Sequence, residues 1–133
     1  NAKRLGINII TTNTKDATKY YKELNGKFDK ILLDVPCLGI GVIKRKPDIK
    51  WQRKEDDIEE ITKIQKKILE NCSKYLKKDG ELVYSTCSIL KDENENVINN
   101  FLENNLQFVK KYEKTILTSE KQDGFFICKL HKK

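Results

Sequence analysis

The sequence contains no methionine, two prolines and one histidine in 133 residues, and its four cysteines form no C-x-x-C pair. Without paired cysteines or clustered histidines, a metal site such as zinc is not expected. Because the chain carries no secretory feature, we expect reduced thiols rather than disulfides. The opening residues 1–6 are typical of a helix end followed by a glycine stop, so we expect a piece of a longer protein.

Long hydrophobic runs are also absent. No apolar segment approaches the roughly 18 residues that a membrane-spanning helix requires, and no signal peptide is recognisable at the start. Hydrophobic residues make up 38% of the chain and charged residues 35%, which is typical of a globular chain and not of a disordered one. We therefore expect a soluble, cytoplasmic protein with one domain and one modest core.

The chain is strongly basic, with a net charge of +7. This excess favours an anionic partner, with nucleic acid the leading candidate, although a general enrichment in lysine would give the same total. The placement of the charges favours a partner, because six of the eleven residues from 44 to 54 are basic and surround Trp51: Lys44, Arg45, Lys46, Lys50, Arg53 and Lys54. Cations can bind phosphates and an indole can stack on a base. The alternatives are a solvated surface and a tryptophan that only packs the loop.

Apolar periodicity predicts strands that alternate with helices. The predicted elements are strand 7–11, helix 16–24, strand 28–33, helix 56–75, strand 81–85, a helix over 97–102 capped by Asp92 and Glu95, and strands 108–112 and 125–130. This order favours an α/β domain with a largely parallel sheet. The last strand follows another strand directly, which suggests an antiparallel edge.

The helix over 56–75 has the clearest pattern. Its apolar residues recur every three or four positions and predict one buried stripe: Ile58, Ile61, Ile64, Ile68, Cys72 and Tyr75. Asp56 and Glu59 fit a capping pair at its start. Gly80 is expected to end the helix.

Two predicted strands end in reactive side chains. One runs into Asp34-Val35-Pro36-Cys37, and the other into Ser85-Thr86-Cys87-Ser88. Ligands collect at the carboxyl ends of strands in open α/β sheets, so both thiols could face one crevice, with Asp34 beside them. Cys72 and Cys128 fall at core positions of a helix and a strand, and we expect both to be buried and inert.

Both segments resemble motifs of the Sun-type family of RNA 5-methylcytosine methyltransferases. Residues 34–41, DVPCLGIG, are similar to the family's D-A-P-C-S-G-x-G, and residues 84–88, YSTCS, to its second cysteine motif. The basic loop between them and the closing residues 123–126, DGFF, are also similar to the family. Val35 and Leu38 depart from the usual Ala and Ser. The family's glycine-rich cofactor loop has no counterpart in the 133 residues.

The resemblance implies the C-terminal part of a Rossmann-like methyltransferase sheet, mostly parallel with an antiparallel final strand, and the cofactor S-adenosylmethionine. It implies that Cys87 attacks cytosine C6, that Cys37 assists release of the RNA, and that Asp34 lies near the transferred methyl group and the base. Asp16 matches the family's acidic contact to adenine, although it could equally cap a helix. The implied substrate is small-subunit ribosomal RNA.

Three other interpretations remain open at this point. The chain could be an RNA-docking module without catalysis. It could be a thiol redox protein in which Cys37 and Cys87 cycle through a disulfide, although this leaves the basic loop unexplained. It could also be a part of an enzyme that is inactive by itself.

Overall fold

The computed structural model describes residues 1–52 and 54–133. Its strands are β1 (Phe28–Asp34), β2 (Leu76–Thr86), β3 (Phe108–Ile116) and β4 (Phe125–Lys132). Its α-helices are α1 (Ile49–Gln52), α2 (Glu55–Ser73) and α3 (Glu95–Asn104), and short 3-10 turns occur at Lys3–Leu5, Lys22–Leu24 and Ile40–Val42. Among the described residues, no helix has the length and apolar character that crossing a bilayer requires.

The four strands form one sheet in the order β1-β2-β4-β3. β1 and β2 are parallel, and β4 is antiparallel to both of its neighbours, so β3 runs in the same direction as β1 and β2. The α/β fold with an antiparallel final strand is therefore confirmed. The expectation that this strand lies at an edge is wrong, because β4 pairs on both sides and β3 forms the edge instead.

The core lies where α2 and α3 cover the sheet. Leu69 of α2, Ile98 of α3 and Leu82, Tyr84 and Phe126 of the sheet are fully buried. The Tyr84 and Phe126 rings meet edge to face, with centroids 6.3 Å apart. The two cysteines that were expected in the core, at positions 72 and 128, are buried as predicted.

The predicted buried stripe of α2 is correct toward the end of the helix, is only half-buried at Ile58 and Ile61, and is wrong at Ile64. Ile68 and Cys72 are buried, but Ile64 is 39% exposed and the polar Gln65 is fully buried in its place. The capping prediction is also wrong, because the N–H of Lys54 donates to Asp57 Oδ2 at 2.9 Å. Apolar spacing alone could not reveal that a polar side chain occupies the core at position 65.

The predicted stop at Gly80 is wrong as well. α2 ends at Ser73, and β2 already begins at Leu76. The register between β1 and β2 shifts after the Phe28–Leu76 pair, and Gly80 sits in this irregularity, where a Cβ would lie 2.9 Å from the Asp29 carbonyl oxygen. Gly80 is thus required by a close approach within the sheet and not by the helix end.

The two elements predicted before residue 25 are also wrong. Residues 7–11 belong to no strand, and residues 16–24 form a turn and a 3-10 turn instead of an α-helix. A β-branched run becomes a strand only where a neighbouring strand pairs with it. The segment after it is held by side chains of other elements: Asn71 Nδ2 donates to the Thr18 carbonyl at 2.9 Å, and the Tyr21 N–H donates to Tyr75 Oη at 2.8 Å.

Candidate active site

The parallel pairing of β1 with β2 brings the two cysteine motifs to one end of the sheet. Asp34 pairs with Ser85 at the last register position, and the Val35 N–H still donates to the Ser85 carbonyl at 3.2 Å. The segments that follow β1 and β2 then leave the sheet side by side. The sulfur atoms of Cys37 and Cys87 lie 2.7 Å apart, and both residues are half-buried. The structure therefore places two free thiols in direct contact.

Burial makes Cys37 a thiol that keeps its proton. Desolvation, with a further contribution from the Cys87 side chain, raises the pKa of the Cys37 thiol to about 12. Burial also raises the pKa of Cys72, and raises that of Cys128 to about 12. Since the thiolate is the nucleophilic form, none of these three is suited to attack at neutral pH. The roles expected of Cys37 and Cys87 stay predictions at this point.

Asp34 lies at the end of β1, three positions before Cys37. Its side chain is exposed, and its Oδ1 accepts a hydrogen bond from Ser85 Oγ at 3.3 Å. The carboxylate is thus oriented at the edge of the sheet but remains accessible to a ligand.

Asp16 makes its side-chain hydrogen bonds within its own segment. Its Oδ1 accepts hydrogen bonds from the N–H and the hydroxyl of Thr18, and these bonds lower the pKa of the carboxyl group. Asn71 and Tyr75 bind the segment that follows Asp16, at Thr18 and Tyr21. The cofactor contact expected of Asp16 stays a prediction.

The loop after Cys37 is tied to both Cys87 and the chain before β4. The Gly41 N–H donates to the Cys87 carbonyl at 3.0 Å, and the Gly124 N–H donates to the Gly41 carbonyl at 2.8 Å. A Cβ on Gly41 would overlap the Gly124 carbonyl oxygen and lie 2.8 Å from the Cys87 carbonyl oxygen. Only glycine at position 41 permits this approach, which explains Gly41 of the 34–41 segment on physical grounds.

The basic loop is exposed, but its cations are not equivalent. Arg45 pairs with Asp123, and Lys44 Nζ donates to the Glu120 carbonyl at 3.1 Å. Lys46 and Lys50 are exposed, and Lys50 Nζ lies 5.5 Å from the centre of the Trp51 ring. Trp51 is 82% exposed, so it does not serve to pack the loop. Arg53, also predicted to contact RNA, lies outside the described residues.

Three buried polar residues near the cysteines were missed by sequence reasoning. They are Gln65 on α2 and the adjacent Glu93 and Asn94 before α3, all fully buried. Asp92 and Glu95 were expected to cap α3, but the helix begins at Glu95 with Asn94 as its N-cap residue. A glutamine inside an apolar helix stripe, and a Glu-Asn pair shortly after the second cysteine motif, are the signals that could have indicated them.

A family model described as "16S rRNA methyltransferase RsmB/F" matches residues 1–131. The chain belongs to this methyltransferase family. The chain is 39% identical to "Probable ribosomal RNA small subunit methyltransferase B" of Bacillus subtilis, covering 99% of this chain and 34% of that protein. It is 43% identical to "Ribosomal RNA small subunit methyltransferase B" of Photorhabdus laumondii, covering 100% and 33%. The chain thus spans about a third of the length of these curated relatives.

Solved structures show the same fold. The structure described as "Crystal Structure of PH0851" has a TM-score of 0.89 and 34% identity over 98% of this chain and 33% of its own. "The crystal structure of NSun6 from Pyrococcus horikoshii with SFG" has a TM-score of 0.82 and 29% identity over 98% of this chain and 36% of its own. The four-stranded unit therefore corresponds to part of a Rossmann-like methyltransferase domain.

The thiol environments predict a pattern of chemical reactivity. Below pH 9, we expect iodoacetamide to modify Cys37 and Cys128 slowly, because the raised pKa values leave little thiolate. The modification rate of both should keep increasing as the pH rises above 9, toward the raised pKa values. Peptide mapping by mass spectrometry between pH 7 and 10 measures each site separately. Rapid modification of Cys37 at pH 8, at the rate of a small free thiol, would contradict the assigned environment.

Proposed function

We propose that the full-length protein methylates C5 of a cytosine in RNA, using S-adenosylmethionine, through a covalent bond between Cys87 and C6 of the base. The observation that carries this proposal is the contact between two thiols beyond the ends of parallel strands, at 2.7 Å. The names of the relatives support small-subunit ribosomal RNA as the substrate, and the similarity to a structure solved with SFG supports a cofactor of that class.

The chemistry explains why a thiol is needed. C5 of cytosine is a weak nucleophile, but addition of the Cys87 thiolate to C6 shifts the C5–C6 electron pair onto C5. S-adenosylmethionine, when bound, supplies the methyl group that C5 takes up. Loss of the C5 proton to a base then restores the double bond and breaks the bond between C6 and the Cys87 sulfur. The target base has to leave its stack to reach this site.

Cys37 is placed to assist the last step. Its sulfur is 2.7 Å from that of Cys87, and the raised pKa keeps its proton in place at neutral pH. A protonated thiol at this distance can hydrogen-bond to the Cys87 sulfur as it leaves C6, which disfavours re-addition of that sulfur to the product. The two cysteines thus take the roles of nucleophile and of a neighbour that assists release.

The residues of this chain fit one side of the cofactor site. Asp34 is exposed at the strand end, three positions before Cys37, where a carboxylate would lie near a sulfonium and the base. Asp16, also exposed, is assigned the contact to the adenine of the cofactor. A glycine-rich loop and an acidic residue for the ribose are not found among the 133 residues. Binding of the methionine end of the cofactor is therefore assigned to other parts of the full-length protein.

The exposed basic loop supplies the contact to RNA. Lys46 and Lys50 present their ammonium groups to solvent beside the exposed Trp51 ring. Arg45 and Lys44 are engaged with Asp123 and the Glu120 carbonyl, so they would exchange these partners for phosphates. A flexible single strand can then place its backbone on the cations and one base on the indole.

Substituting the two cysteines tests the chemistry. In the full-length protein, Cys87→Ala should abolish methyl transfer and the covalent RNA adduct, because the nucleophile is gone. Cys37→Ala should accumulate the adduct, because attack survives and release is impaired. A denaturing gel with labelled substrate RNA measures both. Cys72→Ala is the matched control, since it removes a buried thiol that lies on α2, outside both motifs, and should retain methyl transfer.

The opposite pattern, an adduct in Cys87→Ala and none in Cys37→Ala, would reverse the two roles. Absence of adduct and of methyl transfer in the wild-type protein, with RNA binding retained, would favour an RNA-docking module instead. Reversible cycling of the Cys37–Cys87 pair through a disulfide without methyl transfer would favour a redox protein.

Salt dependence of RNA affinity tests the basic loop. Each phosphate contact on single-stranded RNA contributes roughly 0.7 to the slope of log affinity against log salt. Replacing Lys44, Arg45 and Lys46 together with Ala should flatten the slope by about two units if all three bind phosphates. Trp51→Ala should lower affinity by about 1–3 kcal/mol with the slope unchanged, because stacking carries no counterion release.

The control for this experiment is a triple substitution of Lys63, Lys66 and Lys67 on α2 with Ala. It removes the same charge from a different surface, so it should change the slope much less. Equal slopes in the loop variant and the wild type would mean that the loop is only a solvated surface.

A further inference from the structure

The peptide on either side of Cys37 is held by two buried side chains. Glu93 Oε2 accepts hydrogen bonds from the Leu38 N–H and from Gln65 Nε2, each at 2.9 Å. Gln65 Nε2 also donates to the Pro36 carbonyl at 2.9 Å. The residue before Cys37 and the residue after it are thus bound by one connected pair, Gln65 and Glu93.

The peptide around Cys87 is held by the next residue, Asn94. Thr86 Oγ1 donates to Asn94 Oδ1 at 2.6 Å, and Asn94 Nδ2 donates to the Ser88 carbonyl at 3.0 Å. The Ser88 N–H also donates to Thr86 Oγ1 at 3.2 Å. Asn94 therefore closes the turn that presents Cys87, just as Glu93 fixes the turn that presents Cys37.

The segment that carries Glu93 and Asn94 is itself held in place by hydrogen bonds. Tyr84 on β2, fully buried, donates its hydroxyl to the Glu93 carbonyl at 2.7 Å. The Asn94 carbonyl accepts from the Ile98 N–H at 3.1 Å and so begins α3. A shift of this segment would move both cysteine turns together, because adjacent residues bind the two of them.

Burying the polar side chains of Gln65, Glu93 and Asn94 costs desolvation free energy. A buried carboxylate or amide is tolerated when its polar atoms are hydrogen-bonded, and an apolar side chain of similar volume is often equally stable. Among the described residues, Glu93 Oε1 and Gln65 Oε1 are buried without a hydrogen-bond partner. Packing alone does not account for three fully buried polar side chains at this place, whereas a requirement for fixed geometry does.

We propose that Glu93 and Asn94 are positioning residues that hold the Cys37 and Cys87 turns at a fixed separation, with Gln65 completing the contact to Cys37. This inference rests on the roles proposed for the two thiols. The two adjacent residues are assigned different effects. Glu93 acts on release of the RNA product through Cys37, and Asn94 acts on the attack at cytosine C6 through Cys87.

The test compares Glu93→Ala with Asn94→Ala in the full-length protein. Glu93→Ala should accumulate the RNA adduct and accelerate alkylation of Cys37. Asn94→Ala should reduce adduct formation and alter alkylation of Cys87. We expect each selective effect to be at least about tenfold, because a displacement of about 1 Å at a reacting group costs up to roughly a hundredfold in rate.

Two further variants separate positioning from folding. Glu93→Gln keeps an oxygen that can accept both hydrogen bonds, so it should restore the wild-type behaviour. Gln65→Leu removes the contact to the Pro36 carbonyl at similar volume, so it should reproduce the Cys37 effect even if Glu93→Ala does not fold. Asn105→Ala is the matched control, since Asn105 is a buried amide bonded to Glu70 and the Phe101 carbonyl, at the far end of α3.

Equal effects of Glu93→Ala, Asn94→Ala and Asn105→Ala on both thiols would overturn the proposal, because a general loss of stability would then explain them. Unchanged alkylation and adduct levels in Gln65→Leu would overturn the part assigned to Gln65. If the wild-type protein forms no RNA adduct, the proposed function fails, but the alkylation rates still decide whether these residues position the thiols.

Discussion

The parallel pairing of β1 with β2 determines where the two cysteine turns can lie. Parallel strands end at the same edge of a sheet, and here the last pair, Asp34 with Ser85, is followed by two turns that leave side by side. Residues that are 50 positions apart in sequence thereby meet with their sulfur atoms in contact. The intervening helix α2 is the connection that a parallel pair requires, and its buried face supplies Gln65 to one of the turns.

The site lies on an apolar core, and buried polar side chains hold its turns by hydrogen bonds. Beneath it, Tyr84 and Phe126 pack edge to face within a fully buried core. At the ends of the strands, backbone groups leave the ladder and need other partners, because a buried N–H or C=O without one is destabilising. Glu93, Asn94 and Gln65 meet that need for the turns around Cys37 and Cys87. The same hydrogen bonds that complete the fold also fix the position of the thiols.

The sequence was informative where local pattern and burial agree. The apolar run before Asp34 and the one before Thr86 became paired strands, and the two cysteine motifs met as the rule for strand ends predicts. Residues 7–11 have the composition of a strand but no neighbouring strand pairs with them, so composition was not sufficient. Gln65 was missed because hydrophobic periodicity treats every polar residue as exposed. Its burial depends on partners from segments 28 residues away or more, which no local pattern contains.

Direct contact between Cys37 and Cys87 is the claim on which the site and its proposed chemistry depend. Mild oxidation of the full-length protein with diamide, followed by digestion and mass spectrometry of linked peptides, measures this contact without reference to RNA or cofactor. The structure predicts that a Cys37–Cys87 disulfide forms first, because these two sulfur atoms are in contact, and that Cys72 and Cys128 stay unlinked, because both are buried. Links distributed among several cysteines, or Cys37 and Cys87 oxidised only separately, would contradict the account.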